Sequence, residues 1–279
     1  MVEPGEKSIE SEGYMQTERY NQNGHRPALR IILLAAGTGS RLRPHTENLP
    51  KAMIPLPGGQ SLLEHTLSVL SSDSQIGEIV IVGGHEYEVL RRYIETRWDG
   101  CCRTVFNVDY EVKGPIYSVR CGLAGCPPGS YVAIMNGDTW FSEQALRLMV
   151  RLVASAPAST LLFGSPASEF AADDMRIRTY GGRIRRVDKG IEAAQMISAG
   201  CCLLPPRAAA ALAAMLASIG TRPHPEVKTW HEALNKLLEA GERIEFYSLS
   251  RDDWQEIDNE RDLEALSHRM TRRRHGGRT

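Results

Sequence analysis

The sequence predicts an α/β fold, with a mostly parallel, Rossmann-like sheet flanked by helices and a β-hairpin inserted in the second half. Three observations support this. Short apolar runs alternate with amphipathic stretches of helical period, which is typical of βαβ units. The sequence Ser61-Leu-Leu-Glu64 matches the capping-box motif, which marks the start of a helix. Residues 175–188 alternate apolar and polar side chains around Gly181-Gly182, which indicates two strands joined by a tight turn.

The individual elements follow from these patterns in chain order. Apolar or β-branched runs predict strands at 29–35, 78–82, 103–106, 131–135 and 160–163. Stretches with helical period predict helices from Ser61 onward and at 87–94, 142–154, 206–218 (Ala-rich), 226–240 and 259–268. Together they predict one domain over residues 29–268.

Two terminal segments lie outside this predicted domain. Residues 1–28 lack apolar periodicity and carry five acidic against three basic residues, so we expect a mobile extension. Residues 269–279 contain five arginines and predict a basic, solvated tail.

Composition excludes several classes of function. The 279 residues, 42% of them hydrophobic, are enough to bury a large core. A formal charge of −1 gives no overall attraction to nucleic acid or to an anionic membrane. No apolar run has the length of a membrane span or the character of a signal peptide, so we expect a cytoplasmic protein. The six cysteines lack zinc-site spacing and are expected to be reduced core thiols.

The strongest chemical signal follows the first predicted strand, in Leu34-Ala-Ala-Gly-Thr-Gly-Ser-Arg-Leu-Arg-Pro and in Glu47-Asn-Leu-Pro-Lys-Ala-Met. Gly37 and Gly39 let the backbone bend and bring N–H groups to phosphate oxygens, and Arg41 and Lys51 add positive charge. The spacing fits neither GxGxxG nor GxxxxGK. The pattern therefore predicts a triphosphate-binding loop, with a plain glycine-containing βα turn as the alternative.

These two stretches resemble the signature of the NTP-transferase family of sugar-phosphate and choline-phosphate nucleotidyltransferases. The resemblance extends over residues 29–265 and implies transfer of a nucleoside monophosphate from an NTP to a small phosphorylated acceptor, with Mg²⁺ as cofactor. It implies catalytic roles for Arg41, on the β- and γ-phosphates, and for Lys51, near the reacting phosphoryl group. The implied nucleotide-binding residues of the loop are Leu34, Ala35, Ala36, Gly37, Thr38 and Gly39.

Two aspartates are the metal-binding candidates. Asp138 follows the predicted strand 131–135, so we expect it at the carboxyl edge of the sheet, where α/β ligand sites lie. A carboxylate there suits Mg²⁺, and a turn or cap is the alternative. Asp258 with Asn259 has the alternative role of capping the last helix. The resemblance implies that both aspartates bind metal, one after the fourth strand and one in a late Glu-Ile-Asp turn.

The segment Ile116-Tyr117-Ser118 resembles bacterial choline-phosphate cytidylyltransferases more than the sugar enzymes. This implies that Gly114 and Ser118 contact the base, and it favours CTP. It also places Tyr117 near the acceptor. Simple packing within a helix is the alternative for Tyr117.

Two later residues are further candidates for binding the acceptor. Lys189, at the end of the predicted hairpin, resembles the family's lysine for the acceptor phosphate. Trp230 resembles an aromatic residue near a cationic headgroup, where cation–π attraction would select an amine. The alternatives are a solvated surface lysine and a tryptophan that only packs.

The predicted function is therefore transfer of CMP from CTP to a phosphocholine-like amino alcohol bearing phosphate or phosphonate, with release of pyrophosphate. A sugar-1-phosphate uridylyl- or thymidylyltransferase is the alternative if hydroxyl-binding groups surround Lys189 and Trp230. A non-catalytic, nucleotide-binding regulatory subunit is a third alternative, against which the full set of charged candidates argues. No nucleic acid or membrane partner is expected, and the sequence leaves a homo-oligomer open.

Overall fold

The computed structural model describes residues 28–181, 183–218 and 229–276, with side chains up to residue 271. The predicted extension 1–28 and the end of the basic tail therefore lie almost wholly outside the described residues. The strands are β1 Leu29–Ala35, β2 Ile76–Gly83, β3 Cys102–Phe106, β4 Tyr131–Asn136, β5 Thr139–Phe141, β6 Thr160–Pro166, β7 Arg176–Tyr180, β8 Arg183–Asp188, β9 Met196–Leu204, β10 Ile244–Ser248 and β11 Trp254–Glu256. The helices are α1 Leu62–Leu70, α2 Tyr87–Arg97, α3 Pro115–Leu123, α4 Glu143–Ala154, α5 Pro206–Ser218, α6 Glu232–Glu239 and α7 Glu260–Gly276.

Most of the described strands form one sheet, in the order β3-β2-β1-β4-β9-β6-β10-β8-β7. The block β3-β2-β1-β4 is parallel, and so is the pair β6-β10. Strand β9 runs antiparallel to β4, β6 and β7, and β7 and β8 form the predicted hairpin. The α/β fold with its hairpin is confirmed, but the sheet is mixed rather than mostly parallel.

Strand β9, which the sequence analysis missed, explains the mixed character. Residues 189–195 carry the chain from β8, on one side of β7, to β9 on its other side, and both strands run antiparallel to β7. Strand β9 then continues between β4 and β6, antiparallel to both. A signal was present, since an apolar run ends at Pro205-Pro206 and a proline pair is typical of a strand end.

Helices cover both faces of the sheet, as in other α/β proteins. Alternate side chains of β1 point to opposite faces. Leu29, Ile31 and Leu33 join the core under α1, α2 and α4. Ile32 joins the core under α3, α5 and α6. Burial on both faces is the reason that β1 has the apolar sequence, interrupted only by Arg30, from which it was predicted.

The observed ends of α1, α6 and α7 can be compared with the predicted helix boundaries. The Ser61 hydroxyl accepts a hydrogen bond from Glu64 N at 3.1 Å, as the capping box predicts. Residues 226–228 of the predicted helix 226–240 lie outside the described residues, and the helix there, α6, begins at Glu232. The prediction that the last helix ends at residue 268 was wrong, because Arg269 donates to the carbonyls of Arg251 and Trp254 and so anchors a further stretch of α7.

The described cysteines are all free thiols. Cys201 and Cys202 are core thiols as expected, but Cys101 is exposed because it lies in the turn between α2 and β3. Within the described ranges, no helix has both the length and the apolar surface that a bilayer crossing would require.

Candidate active site

The candidate site lies where β1 and β4 end. The two strands are parallel neighbours, with Leu34 opposite Asn136, so their carboxyl ends lie side by side. Gly137 N donates to Leu34 O at 2.9 Å, and a Cβ at Gly137 would lie only 2.7 Å from that oxygen. The glycine loop after β1 and Asp138 after β4 therefore start from the same place.

A second pairing brings the late acidic residues to Asp138. Strand β11 pairs with β5 so that Glu256 lies opposite Thr139, and Ile257 N donates to Asp138 O at 2.9 Å. As a result, carboxylate oxygens of Asp138, Glu256 and Asp258 all lie within 4.8 Å of one another. The sequence analysis missed Glu256, although residues two apart in an extended segment project to the same side.

Asp258 is not the helix cap. Asn259 Oδ1 accepts the hydrogen bond from Asp262 N at 3.3 Å, and the backbone N–H groups of Asp258 and Asn259 donate to the Asp262 carboxylate. The carboxylate of Asp258 is thereby left to bind the site's cations.

Lys51 joins two of the three carboxylates. Its Nζ lies 2.7 Å from Asp138 Oδ2 and 2.6 Å from Asp258 Oδ1, and its side chain is only 11% exposed. Burial opposes the charged form, but the two carboxylates outweigh it and raise the pKa of Lys51 above the ordinary lysine value. Lys51 is therefore a buried, protonated bridge between the early and late halves of the chain.

The glycine loop holds Arg41 over the same cluster. Gly39 has a left-handed backbone (φ 61°), and a Cβ there would lie 2.8 Å from Thr46 Cγ2, while the Thr46 hydroxyl donates to Gly39 O at 2.8 Å. This turn directs Arg41 so that its guanidinium lies 3.0 Å from Asp258 Oδ2 and 2.6 Å from Asp173 Oδ2. Partial burial opposes the charge of Arg41, but Asp258 and Asp173 raise its pKa.

The three carboxylates fit a hard divalent cation. Lys51 contacts one oxygen of Asp138 and one of Asp258, and Arg41 contacts the other oxygen of Asp258. Asp138 Oδ1 and the Glu256 carboxylate lie outside these ion pairs and are ligands of the type Mg²⁺ prefers. Burial of the carboxyl group and the charges of Asp138 and Asp258 raise the pKa of Glu256. Because the Glu256 side chain is exposed, we attribute this rise mainly to the neighbouring charges, which a bound cation would offset.

A pocket of about 330 Å³ opens beside this cluster. The sequence-predicted residues that line it are Leu34, Ala36, Gly37, Arg41, Gly114, Ser118, Asp138, Lys189, Trp230 and Asp258. Lys51 pairs with Asp138 and Asp258, which both line the pocket. Ala35, the last residue of β1, and Thr38 and Gly39, in the loop that follows it, are not among the lining residues. The structure therefore brings most of the predicted residues together.

Tyr117 is the exception among the acceptor candidates. Its side chain is 5% exposed, packs in the core beneath α3 and has Lys113 Nζ 5.2 Å from its ring centroid. One residue further along α3, Ser118 lines the pocket instead, because successive helical residues point about 100° apart. Contact of Tyr117 with the acceptor is thus not supported by its position.

The far end of the pocket is polar. Trp230 lines it but is 3% exposed, with Nε1 donating to Asn136 Oδ1 at 2.8 Å. His231 lies 2.9 Å from the Ser198 hydroxyl and 3.0 Å from the Thr229 hydroxyl. Burial, followed by the charge of Lys189, lowers the pKa of His231 to about 3, so the imidazole is neutral near pH 7. The sequence analysis named none of Asn136, Ser198, Thr229 and His231 as a site residue.

Comparisons with known proteins place this geometry in a family. A family profile described as "MobA-like NTP transferase domain" matches residues 31–240. The chain is 28% identical over 245 residues to the bifunctional IPC transferase and DIPP synthase of Rubrobacter xylanophilus, covering 88% of this chain and 52% of that protein. It is 34% identical over 162 residues to the choline-phosphate cytidylyltransferase of Haemophilus influenzae, covering 58% of this chain and 63% of that protein. Both relatives are thus matched over less than two thirds of their own length.

Solved structures show the same fold. The inositol-1-phosphate CTP transferase of T. maritima superposes with a TM-score of 0.69 at 19% identity, covering 88% of this chain and 96% of that one. The CTP:phosphocholine cytidylyltransferase of Streptococcus pneumoniae gives a TM-score of 0.67 at 19% identity, covering 86% and 98%. Because the family profile covers most of the chain, including the glycine loop, Lys51 and Asp138, the chain belongs to the MobA-like NTP transferase family of nucleotidyltransferases.

Proposed function

We propose that this protein transfers CMP from CTP to a small phosphate- or phosphonate-bearing amino alcohol, of which phosphocholine is the simplest example, and releases pyrophosphate. Mg²⁺ is the proposed cofactor. The nucleotide preference is supported by two curated relatives, the choline-phosphate cytidylyltransferase of Haemophilus influenzae and the CMP-5'-(3-aminopropyl)phosphonate synthase of Streptomyces rubellomurinus, which is 32% identical over 154 residues.

One observation carries the proposal: a single pocket combines a carboxylate cluster with two cations that come from distant parts of the chain. Asp138, Glu256 and Asp258 lie at the sheet edge, with Arg41 on the glycine loop and Lys189 after β8. Cationic contacts to each phosphate and a metal ion between them favour a reaction between two phosphate groups. In this proposal, Arg41 binds the leaving phosphates and Lys189 binds the acceptor phosphate.

In the proposed step, an acceptor phosphate oxygen attacks the α-phosphorus of CTP. A new P–O bond forms as the bond between the α-phosphorus and the α,β-bridging oxygen breaks, and pyrophosphate leaves with that electron pair. A phosphate monoester is largely ionised at neutral pH, since its second pKa is about 6, so no general base is needed. A bound Mg²⁺ held by Asp138, Glu256 and Asp258 would orient the phosphates and offset their charge.

Arg41, Lys51 and Gly37 would stabilise the phosphates directly. Arg41 and Lys51 are already positively charged and positioned before substrate binds. They can therefore stabilise the negative charge of the phosphates in the transition state with little rearrangement of the site. Gly37 keeps a bare backbone in the pocket wall, where no atom lies within 4 Å of the position a Cβ would take, and phosphate oxygens can approach its N–H.

The acceptor headgroup has a second candidate that a specific observation favours. Trp230 is almost fully buried, and the pocket wall around it is formed by the hydroxyl-binding groups Ser198, Thr229 and His231. Such groups suit a sugar or polyol phosphate at least as well as an amine. The D-glycero-alpha-D-manno-heptose 1-phosphate guanylyltransferase of Campylobacter jejuni, 26% identical over 120 residues, is a relative whose name specifies such an acceptor.

The test is pyrophosphate release with Mg²⁺, each of five NTPs, and phosphocholine, 2-aminoethylphosphonate, inositol 1-phosphate and sugar 1-phosphates as acceptors. Turnover confined to CTP with an amine-bearing acceptor supports the proposal. Turnover with a sugar or polyol phosphate retains the nucleotidyltransferase but replaces the acceptor. No turnover in any combination, with binding of NTP intact, favours the regulatory alternative.

A further inference from the structure

Asp173 brings together the two cations of the proposed phosphate sites. It lies in the segment 167–175 between β6 and β7. One of its carboxylate oxygens is 2.6 Å from Arg41, and the other is 3.6 Å from Lys189 Nζ. Arg41 follows β1 and Lys189 follows β8, and among the described residues that line the pocket they are the only arginine and lysine.

The Asp173 carboxylate contacts Arg41 and Lys189, the two residues that we expect to bind substrate phosphates. Both pairs are charge-assisted contacts of the kind a phosphate oxygen makes with arginine or lysine. The two cations hold the pKa of Asp173 below its ordinary value, so the group is an anion at neutral pH. All three side chains are about half exposed, and exposed ion pairs of this type are weak enough to exchange partners readily.

The backbone beside Asp173 is held independently of these ion pairs. Ala171 N donates to Asp174 Oδ2 at 2.6 Å, and Arg176 donates to Ala171 O at 3.3 Å. The Asp173 carboxylate can therefore leave the two cations without unfolding of the segment that carries it.

We propose that Asp173 is an internal placeholder for substrate phosphate. It keeps Arg41 and Lys189 paired and oriented in the free protein, and it must release them when nucleotide and acceptor bind. The inference rests on the proposed function for the identity of the ligands, but its test needs only anion binding. Asp173 thus competes with the substrates and weakens their binding.

The test is calorimetric binding of two probes, inorganic pyrophosphate and CTP, to the full chain and to Asp173→Asn. The matched control is Glu169→Gln, which removes one exposed negative charge from the same segment. Because an exposed ion pair contributes at most roughly a fivefold change in an equilibrium constant, we expect Asp173→Asn to bind both probes about three- to fivefold more tightly. Glu169→Gln should change binding by less than half of that effect.

A second measurement follows the segment itself. Hydrogen exchange of residues 167–175 should stay nearly unchanged when pyrophosphate or CTP binds, because the contacts of Ala171 with Asp174 and Arg176 hold the segment with or without the Asp173 ion pairs. Unchanged or weaker binding by Asp173→Asn, equal gains in both variants, failure of either probe to bind, or protection of the segment on binding would each overturn the inference. Absence of CMP transfer with tighter pyrophosphate binding would instead count against the proposed function alone.

Discussion

Replacing Lys51 by alanine tests the central ion bridge most directly. In the native protein, when Glu256 is ionised, three carboxylates face two cations, Lys51 and Arg41. Without the ammonium, the same three carboxylates face Arg41 alone. The variant should therefore be less stable, turn over more slowly, and bind a divalent cation more strongly for charge reasons.

The magnitude follows from the burial of the groups. Removing one partner of a fully buried ion pair costs about 3–5 kcal/mol. Here Asp138 and Asp258 are 26% and 19% exposed, and Arg41 still contacts Asp258, so we expect a loss of about 2 kcal/mol. For a domain of this size, that corresponds to a fall in Tm of about 4–8 °C. Loss of a preorganised cation at the reacting phosphates should also lower kcat by about 100-fold or more.

The assay is thermal unfolding of the wild type, Lys51→Ala and Lys113→Ala with and without Mg²⁺, followed by kinetics. Lys113 is a matched control, because its side chain is also 11% exposed and also pairs with an aspartate, yet outside the carboxylate cluster. Mg²⁺ should raise the Tm of Lys51→Ala more than that of the other two proteins. Near-normal turnover of Lys51→Ala, or the same Mg²⁺ effect in all three, would refute this account of the cluster.

Three further predictions follow from the site. Gly39→Ala should destabilise by about 1–3 kcal/mol beyond Gly59→Ala in urea unfolding, because both glycines have positive φ but only Gly39 would place its Cβ against Thr46; equal losses would contradict this. Glu256→Gln should weaken Mn²⁺ binding at least about tenfold, whereas Glu260→Gln, whose carboxyl pairs with His45 instead, should not; equal Mn²⁺ affinities in calorimetry would remove Glu256 from the metal site. His231 takes up a proton below about pH 6.5 when unfolded but only near about pH 3 when folded, so its stability contribution is present above pH 6.5 and is lost as the pH falls, by up to about 1.4 kcal/mol per pH unit. Stability of His231→Gln should lack that part of the acid dependence when urea unfolding at neutral pH is compared with that at about pH 5, and an unchanged acid dependence would argue against a buried neutral imidazole.

The sequence by itself determined the parallel block of the sheet and the glycine loop after β1. The parallel block β3-β2-β1-β4 is buried on both faces, so its strands have apolar sequences that stand out from the amphipathic helices between them. The loop after β1 could also be predicted from the sequence. A turn such as that at Gly39 requires glycine, and the cations of the loop follow within a few residues. Those constraints act over a few residues.

Only the tertiary structure decided how the second half completes the site. Strand β9 was missed although an apolar run leads into Pro205-Pro206, and its antiparallel pairing with β4 and β6, which makes the sheet mixed, is a long-range contact that no local period reveals. Glu256 and Asp173 were missed as well, since an acidic residue on an exposed strand end or loop has no local signature of function. Glu256 acquires its role when β11 pairs with β5, and Asp173 when the hairpin brings Lys189 towards the loop of Arg41. Tyr117 was predicted from its motif to contact the acceptor, but its ring packs in the core. The packing of α3 against the whole sheet decides which helix face is buried, and the motif does not contain that information.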